Sequence, residues 1–436
     1  MAYTKRGSPM KISRVFILFA VTLPLAAQTT SKTPAVTKKT DPLAVHQSAI
    51  VIDTHADTTQ RMLDENYDLS EPLKGGYVNF ESARKGNLGA EFFSIWVDPA
   101  AYTGHDARRT LELIDAVYQQ AAKHPQQMRM AFSSEDIIAA HREHKLAALM
   151  GIEGGHSIEN SLGLLRDYYR LGVRYMTLTW SNSNGWADSS GDIDDPKVAH
   201  TKDGLSDFGK DVVYEMNRLG MMVDVSHVSD KTFYRTLIIS RAPVIASHSS
   251  SRALCDAPRN MTDDMLRAVG QYGGVVMVNF YSSFLSNDYR MAVKAQEPAV
   301  KQAIADAKAK LQAEGKPIPN ELAENIEKSY TAKIPRPPLS VLIDHIDHIA
   351  KIAGIDHVGL GSDFDGIPSS PEGMDSAADL PKITQALMAR GYSAEDMHKI
   401  LGGNFLRVFA KVQEVSKQLQ AENRPRITEK QPFDKK

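Results

Sequence analysis

Cysteine is almost absent from this chain of 436 residues, since Cys255 is the only one. A single thiol cannot form an intrachain disulfide, and it excludes metal sites built from CxxC pairs. The chain also lacks an excess of charge of one sign, because its formal net charge is −2. We therefore expect no nucleic-acid partner held by bulk charge. Hydrophobic content of 42% and charged content of 24% are those of an ordinary globular protein.

Long apolar runs are missing as well, apart from one short run near the N-terminus. Residues 15–27 are apolar but fall short of the ~20 residues that a membrane span needs. Basic residues precede this run and polar residues follow it. This order predicts a signal peptide over residues 1–27, a linker over residues 28–44, and export to a periplasm or the medium. The mature form then has no membrane span; an uncleaved signal anchor is the alternative.

Short apolar segments recur along the rest of the chain, and helical patterns fill the intervals between them. Strands that alternate with helices form parallel sheets with right-handed crossovers. Eight of them predict an α/β fold, a closed (β/α)8 TIM barrel over residues 45–412. A doubly wound open sheet is the alternative, but neither GxGxxG after the first strand nor GxxxxGK[ST] is found. The predicted strands begin at residue 50 and continue at 90–97, 146–152, 175–180, 221–225, 243–247, 274–279 and 357–362.

One segment departs from this alternation. Residues 286–338 separate the seventh and eighth predicted strands by far more than an ordinary connection. They are rich in Ala, Lys, Glu and Gln on both sides of residues 315–320, which predicts two exposed helices joined by a turn. We therefore expect a helical insertion beside the active-site face. Residues 413–436 are strongly charged and are predicted to form a C-terminal tail that frays.

Residues with metal-ligand chemistry follow several of the predicted strands. His55 and Asp57 come after the first strand, two positions apart, so an extended chain would point them to the same side. Glu153 ends the third strand, and His227 and His248 follow the fifth and sixth. A lone histidine after a strand is more commonly structural, but active sites of TIM barrels lie at the C-terminal strand ends. Five such residues at those ends predict a metal site.

Two metal ions suit these residues better than one. Glu153 is the strand-end carboxylate between the two histidine groups, and a carboxylate can bridge two cations. His55 and Asp57 would then complete one ion, and His227 and His248 the other. Two such ions can hold a bridging hydroxide as nucleophile. Imidazole and carboxylate without thiolate suit Zn²⁺, while Mn²⁺, Co²⁺ and Fe²⁺ stay open.

Three further residues have an ordinary structural interpretation beside a functional one. Asp363, in the motif GSDFDG, could simply shape a turn. Arg259 could pair with Asp256 or Asp263 at the surface. His156 lies three residues after Glu153 and is predicted to orient a ligand or loop rather than to bind metal.

Eight stretches surround the residues of the predicted site. They are IDTHAD at 52–57, GIEGGHSI at 151–158, RYMTLTWSNSNGWADS at 174–189, DVSHVS at 224–229, IASHSSSR at 245–252, PRNMTDD at 258–264, VMVNFY at 276–281 and DHVGLGSDFDG at 356–366. Together these stretches resemble the renal-type (membrane) dipeptidase family of binuclear zinc peptidases, which are related to the amidohydrolase barrels. The resemblance spans residues 45–410, and its motifs are highly specific in combination.

The resemblance implies a role for each residue of the predicted site. Two zinc ions would be bound by His55, Asp57, Glu153, His227 and His248, with Glu153 bridging. Arg259 would bind the substrate carboxylate, and Asp363 would be the catalytic aspartate. One position departs from the family, because Trp180 stands where members commonly carry a histidine that helps to hold the tetrahedral intermediate. An indole can donate one hydrogen bond but cannot take a proton.

The expected activity is hydrolysis of a dipeptide, which implies a small dipeptide as the partner of the site. The bridging hydroxide would attack the scissile carbonyl, and Asp363 would pass the proton to the leaving amine. The family also admits D-residues at the second position. Alternatives are N-acyl amino acid, lactone or phosphoester hydrolysis, or a peptide-binding protein that lost turnover through Trp180. A homodimer is compatible with the sequence, which does not fix the oligomeric state.

Overall fold

The computed structural model describes residues 41–200, 202–319, 322–422 and 425. The predicted signal peptide, the linker up to residue 40 and the end of the charged tail lie outside the described residues. Export and the domain boundaries therefore remain predictions. None of the helices in the described ranges combines the length and the hydropathy that a membrane span requires.

The centre of the fold is one parallel sheet of nine strands. Its order is β2-β1-β9-β8-β7-β6-β5-β4-β3, with an additional pairing between β2 and β4. The strands β1 to β9 are Val51–Ala56, Leu88–Trp96, Met128–Met130, Leu146–Glu153, Val173–Thr177, Met222–Asp224, Ile245–Ala246, Val275–Val278 and Val358–Leu360. The pairing of β2 with β4, from Ala90 with Ala147 to Trp96 with Glu153, closes eight of these strands into a barrel. The predicted (β/α)8 fold is confirmed.

One strand was not predicted. β3 pairs with the start of β4, from Met128 with Leu146 to Met130 with Ala148, and stands outside the closed ring. With only three residues it is too short for an alternating pattern to show.

Helices surround the barrel and separate its strands. Within the described residues, α1 to α16 are Pro42–Ser48, Thr58–Asp64, Phe80–Lys85, Asp106–Lys123, Ser134–Arg142, Leu162–Arg170, Asp207–Leu219, Asp230–Ile239, Asp263–Gln271, Ser282–Leu285, Asn287–Ala313, Leu322–Thr331, Leu339–Ala353, Pro381–Ala389, Ala394–His398 and Asn404–Glu422. A π-helical turn, Lys399–Gly403, joins α15 to α16, and Gly402 leaves the helical conformation there. The predicted helical insertion between the seventh and eighth barrel strands is confirmed by α11 and α12.

Alternate side chains of the strands enter two apolar layers. Phe92 belongs to one cluster with Ile52 and Tyr175, whereas its neighbour Phe93 belongs to the larger cluster under the helices. The first cluster includes Phe405 of α16, whose ring meets the Phe92 ring edge-on with centroids 5.2 Å apart. The barrel is therefore filled by side chains, and its functional groups are confined to the strand ends.

Helix α16 covers the N-terminal end of the barrel. Arg407 donates hydrogen bonds to the carbonyl groups of Gly273 and Asp356, which precede β8 and β9. The helix runs past the predicted domain boundary at residue 412 and ends at Glu422, with Leu419 buried. The charges that suggested a tail from residue 413 lie on its solvent side as far as residue 422. The C-terminal strand ends, where active sites of such barrels lie, are on the opposite face.

Candidate metal centre and active site

Backbone hydrogen bonds hold His55 and Asp57 against the loop that follows β9. The His55 carbonyl accepts from the Asp363 N–H at 2.9 Å, and the Asp57 N–H donates to the Phe364 carbonyl at 2.7 Å. Gly366 lets the loop come this close, because a Cβ there would lie 2.0 Å from Asp57 Oδ2. The end of β1 and the loop with Asp363 therefore form one unit.

Glu153 lies at the centre of the histidines. Its Oε2 is 3.3 Å from His55 Nε2, while its Oε1 is 2.8 Å from His227 Nε2 and 3.4 Å from His248 Nε2. His55 Nε2 also lies 3.5 Å from Asp57 Oδ2. All five side chains are at least nine-tenths buried. The two oxygens of one carboxylate thus face two different groups of ligand atoms.

Tyr175 fixes the orientation of His55 from inside the barrel. The Tyr175 hydroxyl donates to the Thr54 carbonyl at 3.0 Å, so at 2.7 Å it accepts from His55 Nδ1. One His55 proton is thereby placed on Nδ1, and Nε2, which faces Glu153 and Asp57, is the nitrogen on the ligand side. A hydrogen bond of this kind on the second ring nitrogen is usual for histidines that bind metal.

Asp224 and Ser247 do the same for His248. Ser247 Oγ donates to Asp224 Oδ2 at 2.6 Å, so at 2.8 Å it accepts from His248 Nδ1. Asp224 also accepts from the N–H of Ser247 at 2.8 Å and of Ser226 at 3.0 Å. One buried carboxylate therefore ties together the two loops that carry His227 and His248.

We predict that Asp224→Asn weakens metal binding without unfolding the barrel. An amide can keep only part of these contacts, and loss of a partner behind a ligand typically lowers metal affinity about 10- to 100-fold. Elemental analysis after dialysis against a graded chelator measures the effect. Asp207→Asn, at the exposed start of α7, is the matched control, and equal metal retention in both variants would contradict the positioning role.

The donor set fits divalent cations. His55 Nε2 is buried and has no hydrogen-bond partner within the described residues. Burial, together with the charge of Arg259, lowers the pKa of His227 to about 4, so this imidazole is neutral at pH 7 and can ligate. Burial opposes a charge on His55 as well, yet Tyr175 and Glu153 hold its pKa above the usual value. A cation that binds there must therefore displace a proton.

Asp363 lies beside the ligand group that contains His55 and Asp57. Its carboxylate is part of a cluster with His55 and Asp57 whose ligand atoms all lie within 4.8 Å of one another. Asn279 donates a hydrogen bond of 2.8 Å to Asp363 Oδ2. Burial raises the pKa of Asp363 well above its ordinary range, with the charges of Asp57 and Glu153 adding to this and His55 opposing it. A carboxyl with a raised pKa can give back a proton that it has accepted.

Two of these residues adopt left-handed backbone conformations. The φ angle is +64° at His227 and +63° at Asp363. Non-glycine residues in this region are uncommon, and strained conformations of this kind concentrate at functional sites. Asp363 also closes a turn, since its carbonyl accepts from the Gly366 N–H at 3.2 Å, so its backbone shapes the loop while its carboxylate belongs to the ligand cluster.

Arg259 points inward and does not pair with Asp256 or Asp263. Its guanidinium donates to the His248 carbonyl and to Ser249 Oγ, both at 2.7 Å, while Asp263 binds His348. Arg259 Nε is buried and has no partner within the described residues. The positively charged guanidinium of Arg259, with an unused donor, therefore lies beside the ligands His227 and His248.

Trp180 forms a wall next to His227. The centroid of its ring is 6.5 Å from that of His227 and 5.0 Å from that of Trp96. It lies three residues beyond the end of β5 at Thr177, in the loop rather than in the strand. His156 turns away from the ligands, with Nε2 at 2.9 Å from the Val97 carbonyl.

Sequence reasoning singled out neither Tyr175 nor Asp224 nor Ser247. Asp224 carries a signal that could have been used, because it is an aspartate inside the apolar run MMVDV. A carboxylate that is buried within a strand needs several hydrogen-bond donors. For Asp224 these donors come from the loops that carry His227 and His248. Tyr175 gives no such signal, since a tyrosine in a strand is ordinary core.

Comparison with known proteins gives a consistent result. A family model described as membrane dipeptidase (peptidase family M19) matches residues 41–423. Human Dipeptidase 3 is 31% identical over 385 residues, which cover 87% of this chain and 68% of that protein.

Solved structures share the fold. The probable dipeptidase PvdM from Pseudomonas aeruginosa has a TM-score of 0.70 and 25% identity, covering 86% of this chain and 98% of that one. A metallo peptidase from Rhodobacter sphaeroides, liganded with a phosphinate mimic of the dipeptide L-Ala-D-Ala, has a TM-score of 0.65 and 23% identity over 84% of this chain and 99% of that one. At that identity the second likeness concerns the fold alone.

Proposed function

Because this chain belongs to the membrane dipeptidase family of metallopeptidases, peptidase family M19, we propose that it hydrolyses dipeptides with two Zn²⁺ ions. His55 and Asp57 would hold one ion, His227 and His248 the other, and Glu153 would bridge them. Asp363 and Arg259 would act on the substrate. The other metals that such a donor set accepts are outcomes of the metal analysis below.

One observation carries the proposal. Glu153 Oε2 faces His55, whereas its Oε1 faces His227 and His248. A carboxylate that served a single ion, or only a hydrogen bond, would not need both oxygens directed at separate groups of nitrogen lone pairs. Tyr175 and Ser247 each place a proton on Nδ1 of their histidine, which leaves Nε2 as the nitrogen that would ligate.

The chain's own residues would divide the work on the substrate as follows. When bound, the ions supply Lewis acidity for the scissile carbonyl and for a water nucleophile. Arg259 would hold the free carboxylate of the dipeptide through its unused donor and so place the scissile bond. Asp363 would accept the proton from the attacking water and return it to the leaving amine. Asn279 keeps the Asp363 carboxylate in place through its 2.8 Å hydrogen bond.

We also propose that the second residue of the substrate can have the D configuration. The bacterial metallo peptidase of similar fold carries a mimic of L-Ala-D-Ala. The α-carboxylate that Arg259 would bind is present in both configurations of that residue.

The test is turnover together with metal content. The purified holoenzyme would be analysed for metals and assayed on L-Ala-L-Ala, L-Ala-D-Ala, an N-acetyl amino acid, a lactone and a phosphoester. We expect two zinc ions per chain and preferential hydrolysis of the dipeptides. Faster turnover of any non-peptide substrate would overturn the proposed substrate class. Dipeptide binding without turnover would show a binding protein instead.

Trp180 should limit the rate on small substrates. A histidine that acts partly as a cation would stabilise the developing oxyanion, and the indole at this position cannot. We therefore expect Trp180→His to raise kcat on L-Ala-L-Ala by roughly tenfold. A charge-assisted hydrogen bond is worth ~1.5–3 kcal/mol, and tenfold corresponds to the lower end of this range. Thermal melts and metal analysis serve as controls, because loss of the contact with Trp96 can destabilise the loop. A well-folded variant with two metals and no gain in kcat would show that this position does not limit catalysis.

A further inference from the structure

A cavity of about 510 Å³ lies between the insertion helices and the loop after β8. Helices α11 and α12 form two of its walls, and Tyr281 and Ser283 from the loop form a third. Small-molecule sites in proteins commonly have volumes of about 300–1,000 Å³. The cavity is therefore large enough for an amino-acid side chain, and none of the roles proposed above uses it.

The cavity shares a wall with the candidate active site. Asn279 binds Asp363 with its amide group, while its Oδ1 accepts from the Tyr281 N–H at 2.6 Å. The Tyr281 ring then contacts the Phe284 ring, with centroids 4.9 Å apart. Phe284 in turn lies under Arg259, whose guanidinium carbon is 5.7 Å from the ring centroid. One short segment thus connects Asp363, the cavity and Arg259.

Cations and apolar groups line the wall contributed by α11. Arg290, which is partly buried, and Lys294, which is exposed, lie one helical turn apart and have no ion pair or side-chain hydrogen bond within the described residues. Further along, Lys301 lies 4.0 Å from Glu297. Val293 and Ile304 supply the apolar part of the wall.

The remaining walls add a hydroxyl group and an acid. Ser283 is 6% exposed, and its Oγ has no hydrogen-bond partner within the described residues. Glu327 of α12 is the acid on the facing wall. With the Glu297–Lys301 pair set aside, the α11 wall keeps two cations whose charge a ligand can meet.

We propose that this cavity receives the side chain of the substrate's C-terminal residue and favours an aliphatic chain that ends in a carboxylate. This inference rests on the proposed dipeptidase function, since Arg259 is taken to hold the α-carboxylate of that residue. The side chain would then pass the Tyr281 and Phe284 rings, which lie between Arg259 and the cavity. There the methylene groups meet the apolar wall, and the terminal carboxylate meets Arg290 and Lys294.

The proposal predicts a preference that charge alone decides. The holoenzyme should hydrolyse L-Ala-L-Glu more efficiently than its isosteric amide L-Ala-L-Gln, by up to about fivefold in kcat/KM, as for a charge pair that stays largely exposed to solvent. The double variant Arg290→Met with Lys294→Met should abolish this preference by raising KM for L-Ala-L-Glu, with kcat and the L-Ala-L-Gln parameters unchanged. Lys308→Met, on an exposed part of α11 outside the cavity, is the matched control and should keep the preference.

Each outcome decides the matter. Equal kcat/KM for the two dipeptides in the unmodified enzyme would overturn the proposal, as would a preference that survives in the double variant. If neither dipeptide is hydrolysed, the proposed function fails, and calorimetric titration of the same two dipeptides tests the cavity by itself. Tighter binding of L-Ala-L-Glu that depends on Arg290 and Lys294 would then support the cavity site, and equal binding would refute it. Circular-dichroism melts of the double variant and of Lys308→Met control for folding. If the double variant melts differently and kcat/KM falls for both dipeptides, the fall is due to folding, which would also count against the specific role.

Discussion

Glu153→Gln is expected to remove bound metal and turnover together. The amide has one oxygen where the carboxylate has two, so it can face either His55 or the pair of His227 and His248, but not both. Loss of a residue that only hydrogen-bonds to a metal ligand typically lowers metal affinity or activity about 10- to 100-fold. Replacement of the bridging group should therefore lower kcat/KM by roughly a hundredfold or more.

Metal analysis and activity must be measured on the same protein preparation. Glu65→Gln is the matched control, because Glu65 caps the end of α2 near the site but points to solvent and pairs with Arg61 at 3.2 Å. It should keep two ions and full turnover. Two tightly bound ions and full activity in Glu153→Gln would refute the bridging role, and a single retained ion with normal activity would refute the need for two.

The barrel was predictable because its strands are buried on both faces. Such strands are continuous apolar runs, as in LAALMGI before Glu153, and the turn from apolar to polar residues marks each C-terminal end. All parallel strands of a barrel present these ends on one face. Polar residues that directly follow the strands in sequence are therefore expected to lie close together in space. The structure places His55, Glu153, His227 and His248 around one point in this way.

Other features could not be predicted because they depend on contacts between distant segments. The hydrogen bond of Tyr175 to His55 crosses the barrel interior between residues 120 positions apart. Helix α16 covers the barrel end through Phe405 and Arg407 and continues to Glu422, through residues whose charge suggested a free tail. Periodicity reports whether a side chain is buried, but it does not report which other segment buries it.

Arg259→Met is expected to separate substrates by their C-terminal group. In the structure its guanidinium is anchored on the His248 carbonyl and Ser249 Oγ, and its Nε has no partner. A free substrate carboxylate would complete this set of hydrogen bonds. Loss of such a desolvated charge pair costs on the order of 2–5 kcal/mol, which corresponds to a fall of roughly 30- to several-thousandfold in kcat/KM.

The amidated dipeptide is the internal control for this variant. It lacks the carboxylate, so its already low kcat/KM should change by much less than that of the free dipeptide. This comparison matters because Arg259 also supports the His248 carbonyl, and its removal can disturb a proposed metal ligand. Such a disturbance would slow both substrates by the same factor, whereas a lost carboxylate contact slows only one. An equal loss on the two substrates would therefore place Arg259 in the support of His248 and remove it from substrate recognition. Arg259→Lys sharpens the distinction, because a lysine keeps the charge but lacks the planar array of donors that would contact the His248 carbonyl, Ser249 Oγ and the carboxylate together. It should recover only part of the selectivity for the free carboxylate.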